Sequence, residues 1–122
     1  MPHASNPKTN DIIAALPEYE WARLKDNLEL IELPLGKVLY ESGATLTHVY
    51  FPTTAIVSLL YVMEDGDSAE IAVVGSEGIV GIALFMGGES TPSRAVVQSA
   101  GWAFRLKSQL LKNEFNRSGF LM

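Results

Sequence analysis

The sequence predicts a mainly β domain of closed or double-sheet type with helices at both ends. Between positions 29 and 107, runs of alternating or β-branched residues are separated by turn signals about every 8–12 residues. Asp65-Gly66 joins two such runs, and this dipeptide is the strongest short-range sign of a β-hairpin. Helical spacing of apolar residues is found before and after this region.

Two short helices are expected before the first strand. Asn10 can cap the first of them, because its side-chain oxygen can accept amide hydrogens of the first turn. Pro17 suits the start of the second. Trp21, Leu24 and Leu28 then fall on one side at helical spacing, which predicts a helix packed on the core.

The β segments follow in order, each bounded by glycine, proline or polar turn residues. They are residues 29–33, 37–40, 48–51, 55–63, 68–74, 94–99 and 102–107. A type I′ turn is expected at Asp65-Gly66, with positive φ at both central residues. Ser108 can cap a helix after the last strand, and Asn116 is expected to start a further helix that continues in the natural protein beyond Met122.

Composition argues against several kinds of function. The 122 residues are 48% hydrophobic and 19% charged, which is typical of one folded domain. The net charge of −5 disfavours duplex DNA as a direct partner, because DNA is bound mainly through lysine and arginine. With no cysteine and only His3 and His48, the chain offers no thiolate nucleophile and cannot assemble a metal site of two or three histidines.

Neither a membrane span nor a secretory signal is expected, and the predicted location is the cytoplasm. No apolar run reaches the roughly 20 residues that a spanning helix needs. Residues 1–10 lack the basic-then-apolar order of a signal peptide and are expected to form a flexible segment.

The connection over residues 75–101 is the most informative part of the chain. It holds six of the ten glycines, and Arg94 is the only basic residue between Lys37 and Arg105. A cation beside small residues and a helix start can bind a phosphate group. A glycine-rich surface loop, with Arg94 paired to Glu89, is the alternative. The residues alone leave both interpretations open.

Three segments bear on the family of the chain: the turn YESGATLTHVYF, the Asp65-Gly66 hairpin and the stretch GIVGIALFMGGESTPSRAVVQSAG. In this order they resemble the effector domain of the Crp/Fnr family of bacterial transcription regulators. The resemblance covers residues 11–122 and implies a jelly roll (a double-stranded β-helix) of the cyclic nucleotide-binding type, with flanking helices, over residues 11–118. It also implies that residues 119–122 start a long dimerisation helix.

The same resemblance implies the partners of the protein. They are a small-molecule effector, a second copy of the full-length protein in a homodimer, and DNA through a C-terminal helix-turn-helix domain that this chain lacks. No membrane partner is expected. In the family, effector binding shifts the long helix and the DNA-binding domains between two arrangements.

The last of the three segments looks like the phosphate-binding cassette of cyclic nucleotide-binding domains. Carried over residue by residue, the ligand-binding positions are Gly81, Ile82, Ala83, Ser93, Arg94 and Ala95. Ile82 stands where the family has the glutamate that binds the ribose 2′-hydroxyl of cyclic AMP. An alkyl group cannot accept that hydrogen bond, and an unpaired buried hydroxyl costs about 1–3 kcal/mol.

The alignment of the arginine is open to two solutions. If Ala95 matches the family's alanine, Ser93 takes the position of the phosphate-binding arginine. A shift of one residue restores Arg94 to that role but reverses the inward face of the following strand. We favour the first alignment, which leaves the phosphate site without its cation.

The interpretation from sequence is therefore a non-enzymatic sensor domain that does not bind cyclic AMP tightly. Its effector is a cyclic nucleotide or another small molecule, and no metal is expected. A stand-alone cyclic nucleotide-binding module, or a regulatory domain of another protein, is the alternative. An enzyme of cupin type is disfavoured, because Asp65 and Asp67 are explained as turn residues and no nucleophile–base pair is found.

Overall fold

The computed structural model describes residues 5–81 and 93–118, with side chains as far as Asn113. The helices are Asp11–Ala14 (α1), Glu18–Leu24 (α2) and Ser108–Ser118 (α3), with 3-10 turns at Pro7–Thr9 and Lys25–Asn27. The strands are Glu29–Leu33 (β1), Val38–Tyr40 (β2), His48–Pro52 (β3), Ile56–Val62 (β4), Ser68–Val74 (β5), Ser93–Ser99 (β6) and Gly101–Lys107 (β7). The predicted fold class, mainly β with flanking helices, is confirmed.

The strands form two antiparallel sheets. One sheet has three strands in the order β1-β7-β3, and the other has four in the order β2-β6-β4-β5. Strands distant in sequence therefore lie side by side, since β1 pairs with β7 and β2 pairs with β6. This order places the first and last strands of the domain together, as expected of a jelly roll.

The three-stranded sheet contributes to an apolar core on each of its faces. The core between the two sheets comprises Leu33, Tyr50, Ala55, Val57, Val80, Ala95, Val97 and Ala103. The core under the helices comprises Ile13, Leu24, Val49, Phe51, Leu106 and Leu111. Successive residues of a strand point to opposite faces, so β3 contributes Tyr50 to the first core and Val49 and Phe51 to the second.

The N-terminal helices cover this second core. Leu24 is buried, and Trp21 and Leu28 are partly buried against the same cluster, as the helical spacing predicts. In the described part of the segment expected to be flexible, Pro7–Thr9 forms a 3-10 turn. Asn10, at the end of that segment, is 0% exposed.

The hairpin predicted at Asp65-Gly66 is confirmed, and the predicted turn type is wrong. Gly66 has φ +90° and donates its N–H to the carbonyl oxygen of Met63 at 3.0 Å. Within the described residues no non-glycine residue has positive φ, so Asp65 cannot take its place in a type I′ turn. The geometry is that of a type I turn followed by a left-handed glycine. The Asp65 carboxylate accepts the N–H of Asp67 at 3.0 Å, which stabilises this alternative.

The C-terminal helix differs from its prediction in one respect. Ser108 begins α3, and its hydroxyl donates to the carbonyl oxygen of Leu46 at 2.9 Å. The helix start predicted at Asn116 is wrong, because α3 runs through that position to Ser118. Residues 119–122, expected to start the dimerisation helix, lie outside the described residues. In residues 5–81 and 93–118, no helix is long and apolar enough to cross a membrane.

The start of β7 lies very close to the connection between β3 and β4. The Trp102 carbonyl oxygen is 3.0 Å from the backbone nitrogen of Thr53 and 3.1 Å from those of Thr54 and Ala55. Thr54 Oγ1 in turn accepts the N–H of Trp102 at 2.9 Å. A Cβ added to Gly101 would lie 2.5 Å from the backbone nitrogen of Ala55, so this approach requires glycine.

Candidate functional site

The glycine-rich connection begins with a turn that its own side chain stabilises. Gly75 donates its N–H to the Glu77 carboxylate at 3.0 and 3.1 Å. Gly78 donates its N–H to the carbonyl oxygen of Gly75 at 3.2 Å. The Glu77 side chain is exposed, and these hydrogen bonds join it to the backbone of its own turn.

The connection is then held against β3 by backbone hydrogen bonds. Tyr50 donates its N–H to the Val80 carbonyl at 2.9 Å, and Val80 donates to the Tyr50 carbonyl at 2.8 Å. Gly81 is buried with φ +111°, and a Cβ there would lie 3.0 Å from Cγ1 of Val49. Gly81 therefore meets both conditions that require glycine, a left-handed backbone and close contact.

Asn10 connects this region to α1 and β3. Its Oδ1 accepts the N–H groups of Ile12 and Ile13 at 2.9 and 3.2 Å, which confirms the predicted cap. Its Nδ2 donates to the carbonyl oxygens of Pro52 at 2.9 Å and Gly78 at 2.8 Å. We name these four hydrogen bonds the Asn10 clamp. The sequence predicted the cap at Asn10 but not the hydrogen bonds of its side-chain amide to Pro52 and Gly78.

The strand that follows the cassette presents two different faces. Ser93 is 5% exposed and Ala95 is 0% exposed, and Ala95 and Val97 belong to the core between the sheets. Arg94 lies between them in sequence and takes the opposite face. No irregularity in the pairing with β4 interrupts this alternation from Ser93 to Val97.

Arg94 lies beside a carboxylate on that opposite face. Its Nε is 3.1 Å from Oε1 of Glu41, at an angle unsuited to a hydrogen bond, and its Nη2 donates to Oε2 at 3.4 Å. The side chains are 31% and 63% exposed, respectively. Solvent therefore screens the pair considerably. Glu89, the partner expected from sequence, lies outside the described residues.

The ion pair is expected to contribute little to stability. In a double-mutant cycle of Arg94→Ala and Glu41→Ala, we expect a coupling free energy below about 1 kcal/mol, since exposed pairs rarely exceed this. Thermal unfolding of the two single variants, the double variant and the unmodified chain measures it. A coupling of about 3 kcal/mol would contradict this expectation and would mean that Arg94 is anchored far more firmly than its exposure indicates.

Four of the six predicted ligand-binding positions lie in the described parts of the chain. Gly81, Ser93 and Ala95 are buried, whereas Arg94 faces away from the core between the sheets. Ile82 and Ala83 lie outside the described residues. The structure thus brings Ser93 and Ala95 onto one face and separates Arg94 from them.

A second set of polar side chains lies on the face of the three-stranded sheet that is directed toward the other sheet. Glu29, Arg105 and Tyr50 stand opposite one another on β1, β7 and β3. Arg105 Nε donates to Oε1 of Glu29 at 2.5 Å, and this bond lowers the pKa of the Glu29 carboxyl. Burial raises the pKa of the Tyr50 hydroxyl, while the positive charge of Arg105 opposes that change.

The group formed by Glu29, Arg105 and Tyr50 was not predicted from the sequence, although the alternation of residues in β7 indicates it. In β7, Phe104 and Leu106 share one face, and Ala103, Arg105 and Lys107 share the other. Strand alternation alone therefore places an arginine on the face that Ala103 directs into the core. Among the described residues, no group of three or more histidine, aspartate or glutamate side chains could hold a metal ion.

Comparison with known families agrees with this architecture. The sequence profile of the cyclic nucleotide-binding domain matches residues 30–118, which is more than half of the chain. The chain belongs to the cyclic nucleotide-binding domain family. No curated protein sequence matches it significantly. The jelly roll implied by the sequence is thus the fold of the domain.

Solved structures of regulatory domains share this fold. The N-terminal domain of a transcriptional regulator from Streptomyces coelicolor A3(2) is 24% identical with a TM-score of 0.68, over 96% of this chain and 79% of that one. The c-di-GMP responsive global regulator CLP of Xanthomonas campestris is 16% identical with a TM-score of 0.67, over 80% and 47%. The regulatory domain of Toxoplasma gondii PKA, crystallised with cAMP, is 13% identical with a TM-score of 0.74, over 91% and 43%.

Proposed function

We propose that this cyclic nucleotide-binding domain is the effector-sensing part of a Crp/Fnr-like bacterial transcription regulator and that it binds cyclic AMP weakly or not at all. In this proposal the domain is regulatory and not catalytic, and it works in the cytoplasm as part of a homodimer. DNA is bound by a separate C-terminal domain.

The orientation of the side chains on β6 supports the second part of this proposal, that cyclic AMP binds weakly or not at all. Ser93 and Ala95 occupy the buried face of β6. In the favoured alignment, Ser93 takes the position of the family's phosphate-binding arginine, and Ala95 takes the position of the alanine two residues later. Arg94 is directed to Glu41 on the other face. A cyclic phosphate bound against the inner face would therefore lack a bidentate guanidinium partner from β6.

The apolar residues near β6 and the isoleucine at position 82 also support weak binding of cyclic AMP. The core between the sheets is apolar near β6, with Val57, Ala95 and Val97 almost fully buried. Ile82 replaces the carboxylate that the family uses for the ribose. An effector that suits these residues carries less charge than cyclic AMP or is held by groups in residues 82–92.

A thermal unfolding titration tests the proposal directly. Cyclic AMP, cyclic GMP and cyclic di-GMP are added separately to this chain, each up to millimolar concentration. A ligand at 100 times its dissociation constant would add about 2.7 kcal/mol of stability. In a domain of this size that is roughly a 10 °C rise in Tm. We expect no rise of this size with cyclic AMP.

A double variant supplies the positive control. Ile82→Glu with Ser93→Arg restores the ribose and phosphate partners of the family, and we expect it to gain a rise in Tm with cyclic AMP. Arg94→Gln tests the other alignment, because that variant should change no nucleotide response if Arg94 faces away from the ligand. A micromolar affinity of the unmodified chain for cyclic AMP, abolished by Arg94→Gln, would overturn the proposal.

A regulatory domain of another kind of protein is the second candidate, since the same fold occurs in the Toxoplasma kinase regulatory domain. The coding sequence downstream of Met122 distinguishes the two. A helix of about 25–30 residues followed by a basic helix-turn-helix supports the transcription regulator. A kinase or a channel supports the second candidate, and a stop codon supports a stand-alone cyclic nucleotide-binding module.

A further inference from the structure

One end of the three-stranded sheet carries a cleft that the cassette does not use. We call it the sheet-end cleft, and its volume is about 420 Å³. Its lining includes Asp26, Glu29, His48, Arg105, Lys107 and Leu110. These residues come from the 3-10 turn Lys25–Asn27, the start of β1, the start of β3, the end of β7 and the first turn of α3. This volume lies within the range of small-molecule sites.

Arg105 is oriented toward the cleft by two partners of its own sheet. Glu29 accepts its Nε–H, and Tyr50 lies opposite it on β3, close enough for its hydroxyl to interact with the guanidinium. The guanidinium has five N–H groups in a rigid fork, so these two contacts leave donors for a ligand. Its side chain is about one-third exposed. Arg105 is thus held in place and still accessible.

His48 offers a further donor in its neutral form. Its Nδ1 lies 3.1 Å from Oγ1 of Thr47. The contact suits either neutral tautomer, because the threonine hydroxyl can donate to an unprotonated Nδ1 or accept from a protonated one. His48, the first residue of β3, stands opposite Lys107. When Nδ1 accepts from Thr47, or when the ring is protonated, His48 presents an Nε2–H beside two cationic side chains.

The electrostatic potential at His48 in the cleft is positive. Burial lowers the pKa of His48, and Arg105 and Lys107 lower it further, while Glu29 opposes them. Asp26 on the Lys25–Asn27 turn is the other carboxylate of the lining. The first turn of α3 adds the positive end of a helix dipole. This positive field occurs in a chain whose net charge is −5.

We propose that the sheet-end cleft binds a small oxyanion, a carboxylate or a phosphate group, through Arg105, Lys107 and the Nε2–H of His48. Arg105 supplies a bidentate partner, and Lys107 supplies a point charge. The inference does not depend on the proposed function, because none of these residues belongs to the cassette. By linkage, an anion that raises the pKa of His48 binds more tightly as the pH falls through that pKa.

An NMR titration of His48 tests the proposal. The pKa of His48 is measured in sodium chloride, sodium sulfate and sodium oxalate at equal ionic strength, since sulfate and oxalate stay fully ionised throughout. His3, the one other histidine of the sequence, serves as the internal reference. We expect sulfate or oxalate to raise the pKa of His48 above its value in chloride. A stronger effect of sulfate indicates a phosphate-like ligand, and a stronger effect of oxalate indicates a carboxylate.

Two matched variants separate binding from general screening. Lys107→Gln removes one cation from the cleft, and we expect the anion affinity to fall about tenfold, as for the loss of one charged hydrogen bond. Lys37→Gln removes the same charge from an exposed turn outside the lining and should leave the affinity unchanged. Equal pKa values of His48 in all three salts, or equal losses in the two variants, would overturn the proposal.

Discussion

Replacing Asn10 by alanine is expected to lower the free energy of unfolding by about 3 kcal/mol. The loss of a helix cap costs about 1 kcal/mol. The buried Pro52 carbonyl and the partly buried Gly78 carbonyl lose the amide that donates to them, at about 1–3 kcal/mol for each group left unsatisfied. Thermal unfolding should show Tm falling by roughly 10 °C.

Asn6→Ala is the matched control for this prediction. Asn6 also caps a turn, since its Oδ1 accepts the N–H of Lys8 at 3.0 Å, but it is exposed and makes no long-range contact in the described structure. We expect a change of about 0.5 kcal/mol or less. Asn10→Asp keeps the capping oxygen, removes the two donors and turns a carboxylate oxygen toward both carbonyls, so it tests the two longer hydrogen bonds of the clamp apart from the cap. A loss in Asn10→Ala no greater than that in Asn6→Ala would show that the clamp contributes nothing.

Replacing Gly101 by alanine is expected to lower the free energy of unfolding by about 3 kcal/mol. The new Cβ would lie 2.5 Å from the backbone nitrogen of Ala55 and 2.7 Å from the carbonyl carbon of Thr54. Both are main-chain atoms, so no side-chain rotation can relieve the overlap. The β3–β4 connection has to move away from β7, which weakens the contacts of its N–H groups with the Trp102 carbonyl. Chemical denaturation measures the change.

Gly75→Ala makes the same chemical change against a side chain that can move. A Cβ at Gly75 would lie 3.0 Å from a carboxylate oxygen of Glu77, and no positive φ is required. Rotation of Glu77 relieves this contact and weakens its hydrogen bonds to the Gly75 N–H, whereas alanine restricts the unfolded chain, so we expect a change within about 1 kcal/mol in either direction. If Gly101→Ala proves as mild as Gly75→Ala, the close packing of β7 on the β3–β4 connection is not the constraint described above.

Local sequence patterns predicted the elements of this fold well. The cap at Asn10, the hairpin at Asp65-Gly66 and the alternation within the strands depend on residues only a few positions apart, so they can be read without a structure. The turn type was the exception. Asp65 can hydrogen-bond to its own backbone, and this local competition favours the turn in which only the glycine has positive φ.

The site required information that local patterns do not contain. The two carbonyl groups that accept from the Asn10 side-chain amide lie 42 and 68 residues away in sequence. The face taken by Arg94 depends on a register difference of one residue, which the sequence left as two alignments. Arg105 acquires Glu29 and Tyr50 as neighbours only because β7 lies between the first and third strands. Each of these contacts is set by tertiary topology.

The way the cassette connection is fastened has a consequence for how such domains diverge. Its first residues are held by main-chain bonds between Val80 and Tyr50 and by one asparagine outside the cassette. Those bonds use main-chain atoms and the Asn10 side chain, so substitutions at the proposed ligand positions, Ile82 and Ser93, remove none of their donors or acceptors. Selection can therefore discard recognition of an ancestral messenger without first losing the scaffold. A lineage in which the messenger was lost still inherits a stable domain on which a new specificity can arise.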